Sequence, residues 1–497
     1  MACPGFLCCR PLPLTLNLAP GTLNLEPSAS PPEPTSHRIL PKFAYLLSAR
    51  WLREGLGIAF FILLARHSAA TYGEFMLAIS MGAILLLVGE FGLNLPLVSL
   101  LNDKERSPGE PLGQVLFLKG VLLLGAFWGT LAFVHWQGYA PRLQQVMLVI
   151  GMGVALEALA TTFFVAFQVE GRQDLEGRIK AVGSTLGLGY GLITLILGAA
   201  PLTIAFFKII ETLVFIVAGA YLLTRRTVLK RPSLTGIWSI AQRGLVFALI
   251  EIAAIIYNKS NLFFLQRYAG ASSVAQYSVT NTMVDGFSGI VSNLLLQSVL
   301  FPLFVKLWDT DRSQVSRLAQ NTARWLLGAS LVLMFVLAVE SDRLIPLIYG
   351  PQYQDAIWLQ KILVANIICS YLHNLAALLM VSMRRERLLL VFYLSGLAIN
   401  LAACSLLVPA FTLLGAALAI ILTKVSVASL TISYCQKKIR LIPLKPFIHL
   451  AGAAALGLAA YFLTRPFIIR GIAEALAVIP ILVLAYRWWR EEKMIHH

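Results

Sequence analysis

Charge is scarce in this sequence, and acidic charge scarcest of all. Asp, Glu, Lys and Arg together make up 13% of 497 residues, with 24 acids against 40 bases. So few charges cannot cover the surface of a water-soluble protein of this size, which normally spends about a quarter of its residues on them. Cysteine is also rare: of the six, Cys3, Cys8 and Cys9 cluster near the start without nearby histidines, and Cys369, Cys404 and Cys435 lie in apolar stretches. Neither a disulfide framework nor a thiolate metal site has that spacing. The seven histidines show no paired spacing either: His135, His373 and His449 are isolated, and His496 and His497 end the chain. No metal site and no tightly bound cofactor is expected.

Apolar residues take the vacated space, at 58% of the chain with a mean hydropathy of +0.77. A membrane-spanning helix needs about 20 apolar residues to cross a hydrocarbon core of about 30 Å. The sequence supplies that length at residues 43–64, 75–101, 114–136, 143–168, 179–199, 202–223, 237–257, 278–305, 323–339, 356–383, 388–408, 411–435, 446–464 and 467–486. A closed β-barrel would show short alternating segments instead. The reading is therefore an all-α polytopic membrane protein with about fourteen transmembrane helices and no room for a soluble domain.

A net charge of +16 could point to nucleic acid, but the distribution of the bases excludes it. Twenty Lys and Arg fall in loops after even-numbered spans or at the edges of those loops, among them Arg172, Arg178, Arg225, Arg226, Arg384, Arg385, Lys437 and Lys438, against seven after odd-numbered ones. By the positive-inside rule this puts the even loops and both termini in the cytoplasm of a cell whose inner membrane the chain crosses. Residues 1–42 are set apart by nine prolines and a near-repeat of Thr15–Pro20 in Thr22–Pro27, a composition that does not fold alone. No apolar stretch followed by a small-residue cleavage site marks a secretory signal there. A misassigned start codon is a second reading of that tail.

The spans that open each half echo one another. Leu63-Leu64-Ala65-Arg66, Thr71-Tyr72-Gly73-Glu74-Phe75 and Phe91-Gly92-Leu93-Asn94-Leu95-Pro96 have counterparts in Phe264-Leu265-Gln266-Arg267, Val274-Ala275-Gln276-Tyr277-Ser278 and Val299-Leu300-Phe301-Pro302. This spacing divides the chain into a tail (1–42), an N-lobe of helices 1–6 (43–230), a C-lobe of helices 7–12 (231–436), and two trailing helices with a cytoplasmic tail (437–497). Leu344-Ile345-Pro346-Leu347-Ile348-Tyr349-Gly350 and Leu407-Val408-Pro409-Ala410-Phe411, followed by Leu414-Gly415-Ala416-Ala417, complete a pattern. Over residues 43–436 it resembles the polysaccharide (O-antigen and exopolysaccharide repeat-unit) flippases of the multidrug/oligosaccharidyl-lipid/polysaccharide exporter superfamily.

The resemblance implies a non-enzymatic transporter that moves polyprenyl-diphosphate-linked oligosaccharide across the membrane by alternating access for cell-surface polysaccharide synthesis. Its partners would be that lipid-linked cargo, membrane lipids, and a polysaccharide polymerase or glycosyltransferase. Na⁺ or H⁺ would be the coupling ion, as in an antiporter. A multidrug exporter or a peptidoglycan lipid-precursor flippase of the same superfamily is the alternative, and a membrane polysaccharide polymerase or ligase a more distant one. The short external loops speak against the enzymes, and the two trailing spans against the multidrug branch. Members of the family often carry an Asp after the seventh span, where this chain has Asn261 in Asn258-Lys259-Ser260-Asn261.

Among the charges inside the predicted spans are thirteen that must be accounted for: Arg50, Arg53, Lys119, Lys208, Arg243, Lys361, Lys424, Glu54, Glu90, Glu157, Glu211, Glu251 and Asp285. Lipid exposure would cost about 3 kcal/mol for each, and the sum exceeds the roughly 5–15 kcal/mol that stabilise a folded protein. They must pair, snorkel or face a hydrated central cavity. Arg53, Arg243, Lys361, Arg50 and Lys424 are the candidate ligands for a diphosphate, to which Lys and Arg donate charge-assisted hydrogen bonds. Glu251, Asp285 and Glu54 are the candidates for ion coupling. Lys208 and Glu211, three apart, form a candidate structural ion pair. Asp309-Thr310-Asp311 matches a glycosyltransferase metal motif but lies in a short loop without a nucleotide-binding domain. The run from Gly183 to Gly191 reads as helix packing, and Trp488-Trp489 as an interfacial anchor.

Overall fold

A computed structural model describes residues 39–103, 107–442 and 444–495, without the side chains of residues 39–52 and of a few isolated positions. The tail expected over 1–42 lies, as far as residue 38, outside the described residues. The described residues form sixteen α-helices: α1 (Ile39–His67), α2 (Ala69–Glu90), α3 (Asn94–Leu101), α4 (Gly109–Trp136), α5 (Pro141–Val169), α6 (Gln173–Ile196), α7 (Pro201–Thr224), α8 (Leu234–Val291), α9 (Phe301–Thr310), α10 (Arg312–Val339), α11 (Ser341–Tyr349), α12 (Gln354–Leu363), α13 (Ala365–Ser382), α14 (Glu386–Ile439), α15 (Leu444–Thr464) and α16 (Arg470–Ile495). A π-helical stretch, Ser292–Leu300, joins α8 to α9. No strand occurs among the described residues. Eleven helical segments are long and apolar enough to cross a membrane. The chain is a multi-pass membrane protein.

Two of those segments cross twice. The backbone of α8 breaks at Gly270 (φ 78°), which has no Cβ to clash in that conformation, and α14 breaks at Thr412 (φ 48°). Each is thus two antiparallel arms, 234–269 and 271–291, and 386–411 and 413–439. The seventh expected span, 237–257, therefore runs on as helix to residue 269. Asn258–Asn261 does not form the expected loop, because no Gly or Pro interrupts the helix before Gly270.

Other boundaries follow from local chemistry. Pro141 and Pro201 occupy the first turns of α5 and α7, where a missing N–H costs nothing. The Ser68 hydroxyl caps α2, and Asp311 caps α10 by accepting from the N–H groups of Ser313 (2.9 Å) and Gln314 (3.2 Å). Hydrogen bonds from the Ser313 hydroxyl and the Gln314 N–H hold the Asp311 carboxyl below the usual carboxylate range.

Burial separates central from peripheral helices. In their most apolar windows α13 is 72% buried and α5 61%, against 22% for α4, α15 and α16, which leaves the last three facing outward. α15 and α16 lean on α10 through Tyr461 against Phe335 (ring centroids 5.3 Å) and Trp488 against Trp325 (5.9 Å). Trp488 is buried rather than interfacial, since α10 offers it an aromatic partner and Arg324 lies over its ring. Trp489 remains exposed, with Lys493 over its face. At the other end of α16, Arg470 bonds Asp342 (2.7 Å) and Glu474 (2.9 Å). The hydrogen bond from Arg470 holds the Asp342 carboxyl down at about 2.

The two sequence-related halves meet along α2 and α8. At one end Gly73 passes so close to Ala271 that a Cβ would fall 2.0 Å from its carbonyl oxygen, and at the other Gly92 meets Gly244 in the same way. The Ala271 end is also clasped by hydrogen bonds. Arg66 donates to the carbonyls of Leu347 and Ile348, while Gln352 and Tyr353 donate to that of Ala65 at 2.9 and 3.0 Å.

Candidate functional site

The intramembrane charges resolve into three groups. The first joins four helices of the first half. Lys208 of α7 contacts both Glu211 (2.7 Å) and Glu157 of α5, and Arg53 of α1 lies 3.4 Å from Glu157 and 3.6 Å from Glu211. Ser184 of α6 donates to Glu211 at 2.5 Å, and the Arg53 guanidinium sits over the Phe215 ring. Glycine makes this possible. A Cβ on Gly153 would fall 2.8 Å from Lys208 Cγ, and one on Gly187 2.7 Å from Glu211 Cβ, so α5 and α6 can press against α7 only without side chains there. The run from Gly183 to Gly191 is thus a packing surface. Among the described residues two cations face two carboxylates, and as far as these go the network is electrically balanced.

The second group is unbalanced. Lys424, on the second arm of α14, lies 3.1 Å from Asp285, on the second arm of α8, and Asn281 donates to the other carboxylate oxygen at 2.8 Å. Lys259, on the first arm of α8, lies within electrostatic range of both Asp285 and Lys424. In their ordinary ionised forms these groups leave one positive charge uncompensated. Lys259, Asp285 and Lys424 stand eleven, fifteen and twelve residues from the breaks at Gly270 and Thr412. At 1.5 Å per residue that is about 17–22 Å, near the middle of a bilayer. Lys424 retains 10% of its side-chain surface and Asp285 38%, so the carboxylate opens onto free space. Tyr257, His373 and Cys369 border the group.

The third group bridges the halves. Glu90 of α2 lies within electrostatic range of Glu251 of α8, and Lys119 of α4, a cation within range of Glu90, is spent on neutral acceptors: Asn94 Oδ1 and the Ala158 carbonyl, both at 2.8 Å, and Thr161 Oγ1 at 3.1 Å. Asn94 in turn donates to Glu90 at 3.2 Å. Among the described residues Glu251 has no ion pair.

The other expected residues do not join these groups. The side chain of Arg50 lies outside the described residues. Glu54 is half-buried, and Arg243 is exposed near the Gly92–Gly244 contact. Lys361 is exposed too, at the far end of α12 within range of Asp342. Of the candidate cations only Lys424 reaches the unbalanced group, and Lys259 was missed because its segment reads as a loop. The absence of Gly, Pro, Asp or a polar cluster between Lys259 and Gly270, apart from Ser260 and Asn261, is the signal that would have placed it in a helix.

Asn261 itself is a buried hub. Its amide donates to Tyr277 (3.1 Å) and the Ala416 carbonyl (2.9 Å), and its oxygen accepts from Asn400 (3.2 Å). A fully satisfied amide there holds α8 to α14 and leaves no acid to bind an ion. Asp309 of the glycosyltransferase-like triplet pairs with Arg384, and Asp311 caps a helix. Among the described residues no cluster of three or more His, Cys, Asp or Glu is placed to hold a metal.

The profile of a family described as "Polysaccharide biosynthesis protein" matches residues 63–358, more than half of the chain. The chain belongs to that family. Among curated proteins no sequence matches it. Among solved structures, the chain resembles the lipid II flippase MurJ in an inward closed conformation, at 12% identity with a TM-score of 0.70. The match covers 90% of this chain and 99% of that one. An inward-facing multidrug resistance MATE transporter of the MOP superfamily matches at 15% identity and 0.61, over 80% of this chain and 98% of its own. The Vibrio cholerae MATE transporter VcmN matches at 14% and 0.55, over 81% and 98%. At such identities the likeness is one of fold.

Proposed function

We propose that this protein is a transporter that moves a polyprenyl-diphosphate-linked oligosaccharide from the cytoplasmic to the outer leaflet of the inner membrane, with both termini cytoplasmic, and that Lys259 and Lys424 take the diphosphate. The observation that carries this reading is the uncompensated positive charge of Lys259, Lys424 and Asp285 at mid-depth. A structural salt bridge needs no second lysine, whereas an anionic cargo does. Membership of a polysaccharide biosynthesis family supports a lipid-linked saccharide over a drug. The assignment of an N-lobe, a C-lobe and two trailing helices is part of this proposal, with the cavity between the lobes as the path of the sugars.

Glu251 and Glu90 face each other across the boundary between the halves without a balancing cation in contact. A Na⁺ or H⁺ bound between them relieves their repulsion in the closed state and is released when the halves part, which gives the two states different ion affinities, as coupling requires. Arg53 stays in the balanced network of the first half as a structural cation.

Reconstituted protein and labelled lipid-linked saccharide in proteoliposomes test the reading. The double variant K259Q/K424Q is expected to fold and to lose transport by at least about tenfold, the loss of charge-assisted contacts to one anion. Wild-type rates in that variant, or no protein-dependent movement of any lipid-linked saccharide, would sink it.

A further inference from the structure

Away from the central charges, the end of the bundle that carries most of the basic residues holds a cavity of about 500 Å³. Three separate pieces of chain build it. Trp308 and Arg312 come from the α9–α10 turn, Arg385 from the α13–α14 turn, and Tyr434, Lys438 and Arg440 from the end of α14. Four cations therefore line one concavity, and no acidic side chain does. The acids closest in sequence are committed elsewhere: Asp309 to Arg384, and Asp311 to the first turn of α10. Arg385, Lys438 and Arg440 have no ion pair among the described residues, and Arg312 is held over the Trp308 ring at 5.0 Å.

A membrane orientation signal explains bases at this end, but not their convergence on one space. Positive-inside residues act by number and need no common target. Here the backbone is bent to bring them together. Arg440 ends α14 in the left-handed conformation (φ 51°, ψ 52°), a place that Gly usually fills, and Arg384 does the same (φ 59°) after α13. Such backbone persists only where its surroundings enforce it. Ser316 and Gln320 of α10 enforce it at Arg440, by donating to the Ile439 carbonyl at 2.6 Å and the Arg440 carbonyl at 3.0 Å. The N-terminus of α14 opens beside Arg385 with no side-chain cap, which adds donor N–H groups to the same electropositive wall.

We infer that this cavity is a phosphate-binding site, distinct from the mid-membrane cations, for a phosphorylated group presented from the basic side. Trp308 and Tyr434 supply the apolar floor against which the remainder of such a molecule packs. The phosphate could arrive on an anionic phospholipid or free in solution, and the two sources are separable.

Lys437 and Lys438 are adjacent, yet only Lys438 lines the cavity, so their acetylation rates form an internal comparison. The full-length protein would be treated with an amine-reactive acetylating reagent in phosphatidylcholine nanodiscs, with or without inorganic diphosphate, and then in nanodiscs of four parts phosphatidylcholine to one part phosphatidylglycerol. Mass spectrometry reads each lysine. A phosphate at ten times its Kd leaves about a tenth of sites open, so Lys438 is expected to react about tenfold more slowly while Lys437 keeps its rate. The variant R385Q is expected to restore Lys438 reactivity, and R387Q, at the same end but outside the cavity, to leave the protection intact. Protection by phosphatidylglycerol alone assigns the site to a lipid headgroup, and protection by diphosphate alone to a soluble phosphate. Equal slowing of both lysines, protection that survives R385Q, or no protection in either arm overturns the site.

Discussion

The two halves of the molecule face the same physical problem and answer it differently. In the first half Arg53, Lys208, Glu157 and Glu211 meet as two cations and two carboxylates, with Ser184 completing the shell. In the second half Lys424 and Asp285 pair while Lys259 adds a charge that nothing cancels. The lysines Lys208 and Lys424 are equally buried, at 10% of their side-chain surface, but the carboxylates differ: Glu211 and Glu157 keep 5% and 15%, against 38% for Asp285. A closed, neutral network fixes four helices to one another and offers a ligand nothing. An open, charged one costs stability and is retained where an anion is to be met.

The contrast can be broken or sharpened by substitution. The largest effect belongs to the balanced network: Lys208→Met leaves Glu157 and Glu211 with Arg53 alone between them and one negative charge uncompensated, and about 3–5 kcal/mol of stability should disappear. Thermal unfolding in detergent measures it, and a loss below 1 kcal/mol would mean that the network is hydrated rather than closed. Next comes Asn261→Asp, which places a carboxylate in a satisfied amide network and should cost about 1–3 kcal/mol without adding ion dependence to transport. Glu251→Gln should remove the response of transport to an imposed Na⁺ or H⁺ gradient while downhill movement continues, with the rate ratio in proteoliposomes as the readout.

The smallest effect lies outside the membrane span, at Asp342. Its carboxyl is held near 2 by Arg470, below the value of about 4 in an unfolded chain. The pair thus stabilises the fold above about pH 4, and that contribution is lost as the pH falls from about 4 towards 2. Because Asp342 is largely exposed, Asp342→Asn should cost under about 1 kcal/mol at neutral pH and nothing at pH 2.

Much of the architecture was legible in the sequence, since apolar run length and charge asymmetry are local properties. A helix answers to each expected span, but α10 begins eleven residues before the ninth, α16 runs nine residues past the fourteenth, and the longest overrun is at the end of the seventh. There an amphipathic Asn-Lys-Ser-Asn stretch mimics a loop, because its polar groups face other helices rather than water. The site was legible only in its ingredients. Which of thirteen charges meet depends on helix rotation and on glycines such as Gly153 and Gly187, whose role appears only once α5, α6 and α7 are side by side. Lys208 with Glu211, three apart on one helix, could be paired from spacing, but Glu157, fifty-one residues away, could not. Trp488 shows the same limit: an aromatic beside Arg at a span end reads as an anchor until a partner such as Trp325 is placed against it.

The claim that excess positive charge in the second half receives the cargo is tested most directly by changing that charge in both directions. The affinity of the reconstituted protein for a polyprenyl-diphosphate saccharide should rise through the series K259Q, wild type, D285N by about tenfold at each step, as the group goes from neutral to one and then two uncompensated charges. Affinities that stay flat across the series, or run in the opposite order, would contradict it.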